Sequence, residues 1–420
     1  MKKFLFILLV FTCFCSLVAC DGKIKESTPE DGLLTNELSE KEMTKDLDKL
    51  VEVLKANHVD FDHEYSEENF DKDVADLKTK LSTIDSEAFS FEVMKLCAKI
   101  GDAATRAYLD TNRKDNQYYL PVQFTAFEEG LFISKIDIEK EDYLGWKLLK
   151  VEETNVEDLI NKLSVYYGGE SHEYCKYAAK NSIPFWNMLN HAGVVSSKDV
   201  KLTVSNALET KTEVITLTAE KSGEYDDERM QVLANDLPTK YLGTYYHYKL
   251  IDNVLYIQYN NCAENPKQSL EKFMKEISTY LTTNVYKNVV VDFRYNYGSG
   301  NYTSGALLYS ALKTFANDGG NVYCLMGENT QAHSIGAIIQ IKSMCNAVLL
   351  GTPTVSTTLF YSHTDSYVLR NSVMNITFPT KTTSFVDGDN HGSLLPSVTI
   401  KQSYFDYIND TDSLLNYVIK

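Results

Sequence analysis

The chain has 420 residues, enough at roughly 150 per domain for two or three domains. Its 44% hydrophobic and 24% charged residues mark a folded protein, and 20 glycines and 8 prolines exclude collagen-like and low-complexity architectures. Lys and Arg number 41 against 58 Asp and Glu, a net charge of -17. With no basic block, that charge argues against nucleic acid and anionic membrane surfaces as partners.

The N-terminus opens with Lys2 and Lys3, followed by an apolar stretch from Phe4 to Phe14 that is short for a bilayer span. Leu17-Val18-Ala19-Cys20 resembles a bacterial lipoprotein lipobox, with Ala19 at the cleavage site and Cys20 as the thiol that accepts lipid. Residues 1–19 are therefore expected to be a signal peptide, and Cys20 to anchor the protein on the extracytoplasmic face of a bacterial cell membrane. Residues 20–42 read as an acidic, solvated tether.

Apolar residues then fall at helical spacing. Leu47, Leu50, Val51 and Leu54 predict a helix beginning near Thr44; Phe70, Val74, Leu77 and Leu81 predict a second; Phe91, Met94 and Ile100 a third. These make a helical domain over 43–113. Residues 114–235 form a β-rich module, with short runs at Leu120–Phe127, Leu131–Ile136 and Trp146–Val151, then a helix over Val156–Leu163. The acidic stretch Gly223–Glu228 closes it as a surface linker.

Residues 236–420 alternate strand and helix. Val254–Tyr259 reads as a strand, and Leu270, Phe273, Met274, Ile277 and Leu281 mark one helix face. Val289–Phe293 is apolar apart from Asp292, as befits a strand buried on both faces. Helices near Ser304–Phe315 and Ile335–Met344 and strands Val322–Met326 and Ala347–Leu350 follow. The expected fold class is α/β, with a parallel sheet covered by helices. A site belongs where loops leave the carboxyl ends of its strands, at Arg294–Asn301 and Gly327–Ser334.

Beyond the leader, Cys97, Cys175, Cys262, Cys324 and Cys345 are widely spaced, odd in number and without a C-x-x-C pair. They read as mostly buried free thiols, with no zinc site and no disulfide framework. His58, His63, His172, His191, His247, His363 and His391 show no metal-ligand spacing and read as structural or exposed, so no metal or cofactor is implied. Tyr241, Tyr245, Tyr246 and Tyr248 read as core or strand-pairing residues, with a binding surface as the less favoured role.

Two loops carry a resemblance. Asp292-Phe293-Arg294-Tyr295-Asn296-Tyr297-Gly298-Ser299 resembles the D-x-R-x-N-x-G-G motif of tail-specific (C-terminal processing) serine peptidases. Thr330-Gln331-Ala332-His333-Ser334, Gly351-Thr352-Pro353-Thr354 and Leu369-Arg370-Asn371-Ser372 are similar, in order, to that family's T-x-S-[AS]-[AS], G-E-P-T and L-P-N-S. Ile100-Gly101-Asp102-Ala103-Ala104-Thr105 resembles the I-G-D-G-H-T of its tricorn-core-like branch, and Pro396–Ile400 with Asp412 and Leu415 fits its C-terminal end. The resemblance covers about 45–420. It implies that the middle module is PDZ-like and that the last segment is the peptidase core.

The departures decide the expected chemistry. The resemblance places the attacking serine at Ala332, the activating histidine at Ala104 and the alternative activating lysine, 25 residues after Ala332, at Thr357. A hydroxyl needs such a base, because its own pKa leaves almost no alkoxide at neutral pH. Alanine supplies neither group, so the chain reads as a degenerate member that has lost hydrolysis. His333 and Ser334 are substitute candidates, with Ser334 favoured as a hydrogen-bonding residue at the helix start. A groove should survive around Arg294, Asn296, Gly298 and Gly300. There, backbone N–H groups near Gly298 and at the start of the helix after Ala332 favour an anion, and an extended peptide can add to a sheet edge. The expected partner is a peptide or protein segment, C-termini included. Two other readings stand beside it: an active serine peptidase using Ser334 or an unrecognised base, and a surface interaction protein in which the fold is scaffold.

Overall fold

The computed structural model describes residues 37–109, 117–222, 227–233, 237, 239–240, 242–283, 286–388 and 392–420. The lipobox with Cys20, most of the tether, residues 223–226 of the acidic linker, Tyr241 and His391 lie outside the described residues. Among those described, no helix is long and apolar enough to cross a membrane.

The N-terminal region is three helices, α1 (Glu40–Asn57), α2 (Glu67–Lys78) and α3 (Ser86–Lys99). Helix α1 begins at Glu40, ahead of the expected Thr44, because Ser39 and Glu42 form a reciprocal capping box. Ser66 and Asp85 cap α2 and α3 by accepting backbone N–H bonds from Asn69 and Ala88. The apolar faces meet in a core of Leu47, Leu50, Phe70 and Phe89, which is closed by Leu369, Ile376 and Phe378 from far along the chain. Strand β1 (Arg106–Tyr108) then leaves this region to join that distant segment.

The middle module follows as β2 (Tyr118–Tyr119), β3 (Val122–Phe127), β4 (Gly130–Asp137), β5 (Lys147–Val151) and β6 (Thr154–Asn155). Helices α4 (Val156–Ser164), α5 (His172–Ser182) and α6 (Trp186–His191) come next, before β7 (Asp199–Ser205), β8 (Thr212–Thr218), β9 (Glu220–Lys221) and β10 (Met230–Val232). Seven strands form one antiparallel sheet, ordered β10-β4-β5-β7-β8 with β3 on β4 and β6 on β5. Its core mixes strand residues such as Val122, Ile133 and Val200 with Leu159, Leu163 and Leu189 from the helices.

The last segment begins with β11 (Tyr246–Ile251), β12 (Val254–Tyr259), α7 (Leu270–Thr283), β13 (Asn288–Asp292) and α8 (Ala306–Asn317). It continues through β14 (Asn321–Met326), α9 (His333–Cys345), β15 (Val348–Gly351), β16 (Leu359–Val368) and β17 (Asn375–Ser384). Strand β18 (Val398–Thr399) and helices α10 (Tyr404–Ile408) and α11 (Ser413–Ile419) complete it. Six strands pair in the order β11-β12-β13-β14-β15-β18, parallel from β12 onward.

Strand alternation sends apolar side chains to both faces of this sheet. Leu255, Ile257, Val289 and Val291 pack with Phe273, Leu312 and Ile341 of α7, α8 and α9. Val254, Tyr256, Val290 and Leu325 pack with Leu414, Leu415 and Val418 of α11. Tyr246 lies buried in the first core, Tyr245 is partly buried against it, and Tyr248 packs on Phe273 and Tyr280. The five described cysteines are free thiols, with Cys97, Cys262, Cys324 and Cys345 buried and Cys175 half-buried.

Strands β16 and β17 form a long hairpin that takes β1 as a third strand. Its sequence mixes Ser, Thr, His and Asp with aromatics and lacks clean alternation, so neither strand was expected there.

Candidate functional site

The two loops expected to carry the site, Arg294–Asn301 after β13 and Gly327–Ser334 after β14 and into α9, leave neighbouring parallel strands and touch. The Gln331 N–H donates to the Asn296 carbonyl at 3.1 Å, and the Thr330 hydroxyl donates to the Phe293 carbonyl at 2.9 Å. Parallel pairing sets their mouths side by side, which is the reason such strand ends hold sites.

Arg294 and Asn296 build this loop from the inside rather than presenting their side chains to a groove. The Arg294 guanidinium forks onto Asp292 (Nη2–Oδ2 2.6 Å) and Asp412 (Nη2–Oδ2 2.6 Å, Nη1–Oδ1 3.0 Å). Tyr256 Oη donates to Asp292 and Thr239 Oγ1 donates to Asp412, each at 2.6 Å, so both carboxylates are satisfied. Burial alone raises the Asp412 carboxyl, but the Arg294 charge together with hydrogen bonds from Arg294, Thr239 and the Leu415 N–H outweighs it and holds the group below its ordinary value. The amide of Asn296 donates to the Tyr259 carbonyl at 2.8 Å and accepts the Gly298 N–H at 2.9 Å. That bond occupies the Gly298 N–H expected to face an anion, because the turn closes on its own side chain.

Gly298 and Gly300 are both left-handed, at φ +82° and +92°. A Cβ on Gly298 would stand 2.6 Å from the Ala332 Cβ and nearer still to the Gln331 carbonyl oxygen. Gly300 lies equally close to the Cys262 backbone, which it pairs as an isolated bridge.

Ala332 itself has φ +45° and ψ -122° at the N-terminus of α9. An L-residue meets a steric penalty there of about 1–3 kcal/mol, and such strain gathers at functional turns. The turn aims the Ala332 side chain at the Gly298 backbone, and Ala332 is 8% exposed. Ser334 is fully buried, and its hydroxyl donates to the Gln331 carbonyl at 2.6 Å. His333 turns away toward a set of rings, stacked on Tyr302 (centroids 6.1 Å) and edge-on to Phe360 (5.4 Å). Its Nδ1 has no hydrogen-bond partner among the described residues, and burial, aided by His363, lowers its pKa.

The loop carrying Ala104 is pinned by Asp102, whose Oδ1 accepts the N–H groups of Ala104 (2.9 Å) and Thr105 (2.7 Å). Its Oδ2 meets His58 Nε2 at 3.0 Å, in a pair whose side chains are 1% and 2% exposed. His58 Nδ1 accepts the Asp60 N–H, so Nε2 is the nitrogen that donates to Asp102. The Ala104 carbonyl accepts from Thr377 of β17 at 2.7 Å.

Glu170 joins the same neighbourhood, accepting N–H groups from Ala103 and Tyr361. Burial first, and then the Asp102 charge, push its carboxyl up to about 7. Strand β16 runs between His333 and His58. Phe360 faces His333, whereas Tyr361 faces His58 and donates to Asp60 at 3.2 Å. Thr357 is buried just before β16, with its hydroxyl donating to the Leu359 carbonyl.

The structure therefore joins Ala332 to Gly298 directly, and ties the Ala104 loop to His58 through Asp102 and to Thr377 of β17. His58, Asp102 and Glu170 were not anticipated as site residues. Asp102 lies within the quoted I-G-D stretch, but neither its 44-residue separation from His58 nor the position of Glu170 leaves a pattern in the sequence.

A mutant of CPAF superposes with a TM-score of 0.63 at 12% identity, covering 91% of this chain and 96% of that one. Mature CPAF complexed with lactacystin gives 0.61 at 12% identity, with 90% and 97% covered.

The chain has the CPAF fold.

The α/β architecture implied by the tail-specific resemblance, with helices first, an antiparallel module next and a parallel sheet last, is the architecture that CPAF shares. No protein-family profile and no curated protein matches the sequence.

Proposed function

We propose that this chain is a lipid-anchored, extracytoplasmic homologue of tail-specific serine peptidases that has lost hydrolysis and holds a peptide or protein segment beside Ala332. The observation that carries this reading is the backbone of Ala332. A turn at φ +45° presents its side chain at a helix N-terminus, yet the side chain is a methyl group. A strained turn is a reasonable remnant of a nucleophile position, and a methyl group cannot attack a carbonyl. The family's histidine position, Ala104, is equally without a base.

The active-peptidase alternative draws no support from Ser334, whose buried hydroxyl is already committed to the Gln331 carbonyl. Peptide recognition needs none of the missing groups, since an extended segment bonds to exposed backbone at a sheet edge.

The test is paired. The mature protein is treated with a fluorophosphonate probe, which labels only an activated serine, and is assayed for capture of unstructured polypeptides. Absence of labelling with retained capture supports the reading. Labelling that Ser334→Ala abolishes promotes the active peptidase, and absence of both leaves the fold as scaffold. For the anchor, Cys20→Ser should release the protein from membranes or leave an uncleaved precursor. Unchanged membrane association in that variant would reject it.

A further inference from the structure

Beside the Ala332 turn is a pocket of about 190 Å³, lined by Tyr302, Gly336, Gln340, Phe385 and Asp387 among others. Tyr302 and Phe385 meet nearly at right angles (centroids 5.4 Å, 83°), so the two rings form a corner, with Phe385 also stacked on Phe360. Both rings also touch His333, the residue after Ala332, which ties the pocket to the start of α9.

The corner depends on a glycine. Gly336 lies inside α9, where glycine costs about 1 kcal/mol relative to alanine. A Cβ there would stand 2.7 Å from the Phe385 ring and 2.9 Å from that of Tyr302. The missing side chain is what admits the two rings to the helix surface.

The pocket's charge is one-sided. Asp387 is exposed and has no ion-pair or hydrogen-bond partner among the described residues, and the lining contains no Lys or Arg. Aromatic faces carry negative potential and attract cations, and an unneutralised carboxylate at the rim adds to this. The whole chain, at -17, reinforces the attraction over longer range.

We propose that this pocket receives a basic side chain, Lys or Arg, of the segment bound beside Ala332. The inference rests on the peptide-binding reading above and adds a specificity to it. The cation lies between the Tyr302 and Phe385 faces, with Asp387 as its counter-charge. The neighbouring His333 is held toward its neutral form by burial and adds no opposing charge.

The experiment uses the mature protein and capped peptide libraries, randomised except for one fixed position carrying Lys, norleucine or Glu. Binding is followed by fluorescence anisotropy. Lys peptides should bind about tenfold tighter than norleucine peptides, with Glu peptides weakest. Asp387→Asn, an exposed change, and Phe385→Leu should each cut that preference to about twofold or less. Equal binding of all three libraries overturns the inference and leaves peptide binding standing. A Lys preference that survives both substitutions also overturns it. If no library binds, the peptide-binding reading fails and takes this inference with it.

Discussion

Gly298 and Ala332 are fitted to one another, because the space a Gly298 side chain would need is filled by the Ala332 methyl group and the Gln331 carbonyl. The φ of +82° at Gly298 adds a conformational penalty to the collision. Gly298→Ala should therefore destabilise the protein by about 2–4 kcal/mol, combining overpacking with a left-handed alanine. Chemical denaturation followed by circular dichroism measures it. A loss below about 0.5 kcal/mol, the range of ordinary surface changes, would show that the two loops are not tightly apposed.

Ala332 makes the opposite prediction. Glycine adopts φ +45° without steric cost, although it loses more freedom on folding. Relief of strain should exceed that loss, so Ala332→Gly should stabilise the protein by about 0.5–2 kcal/mol. A fall in melting temperature would mean that the methyl group's packing matters more than its backbone.

Rebuilding the chemistry needs two positions together. Ala332→Ser alone should leave hydrolysis of a fluorogenic peptide near background, since an unassisted hydroxyl stays protonated. Ala332→Ser combined with Ala104→His should exceed the sum of the single changes, because members of one catalytic unit are strongly non-additive. Simple additivity would argue that the two positions do not act on one another.

Glu170 predicts a pH dependence with a definite sign. Its carboxyl sits at about 7 in the folded protein against an ordinary 4.5. Between those values the folded chain binds more protons than the unfolded one, so stability falls as pH rises. Denaturation midpoints should decline from about pH 5 to about pH 8 in the wild type, and Glu170→Gln should flatten that decline. Parallel profiles for the two proteins would place the titration elsewhere.

The sequence reveals the core better than the site. Apolar runs such as Val289–Val291 identify buried strands, and helical spacing identifies α7 through Phe273 and Ile277. The motif order also locates the two strand-end loops. What it hides is which way side chains point. Arg294 and Asn296 resemble groove residues by position, yet their bonds run to Asp412 and Tyr259, 118 and 37 residues away. Asp102 is similarly legible as a motif residue but not as the partner of His58. The strain at Ala332 has no sequence signature, since φ follows from the turn and not from the residue. Strands β16 and β17 escaped because their polar and aromatic residues obey no period; their place is set by pairing with each other and with β1.

That hairpin has a consequence for how the molecule is made. Leu369, Ile376 and Phe378 complete the hydrophobic interior of helices that end at residue 99. During synthesis those helices leave the ribosome first, yet their apolar faces stay uncovered until nearly the whole chain has been translated. Contacts spanning such sequence distances close late and slow folding. A nascent chain arrested before residue 369 carries an open, sticky helical surface.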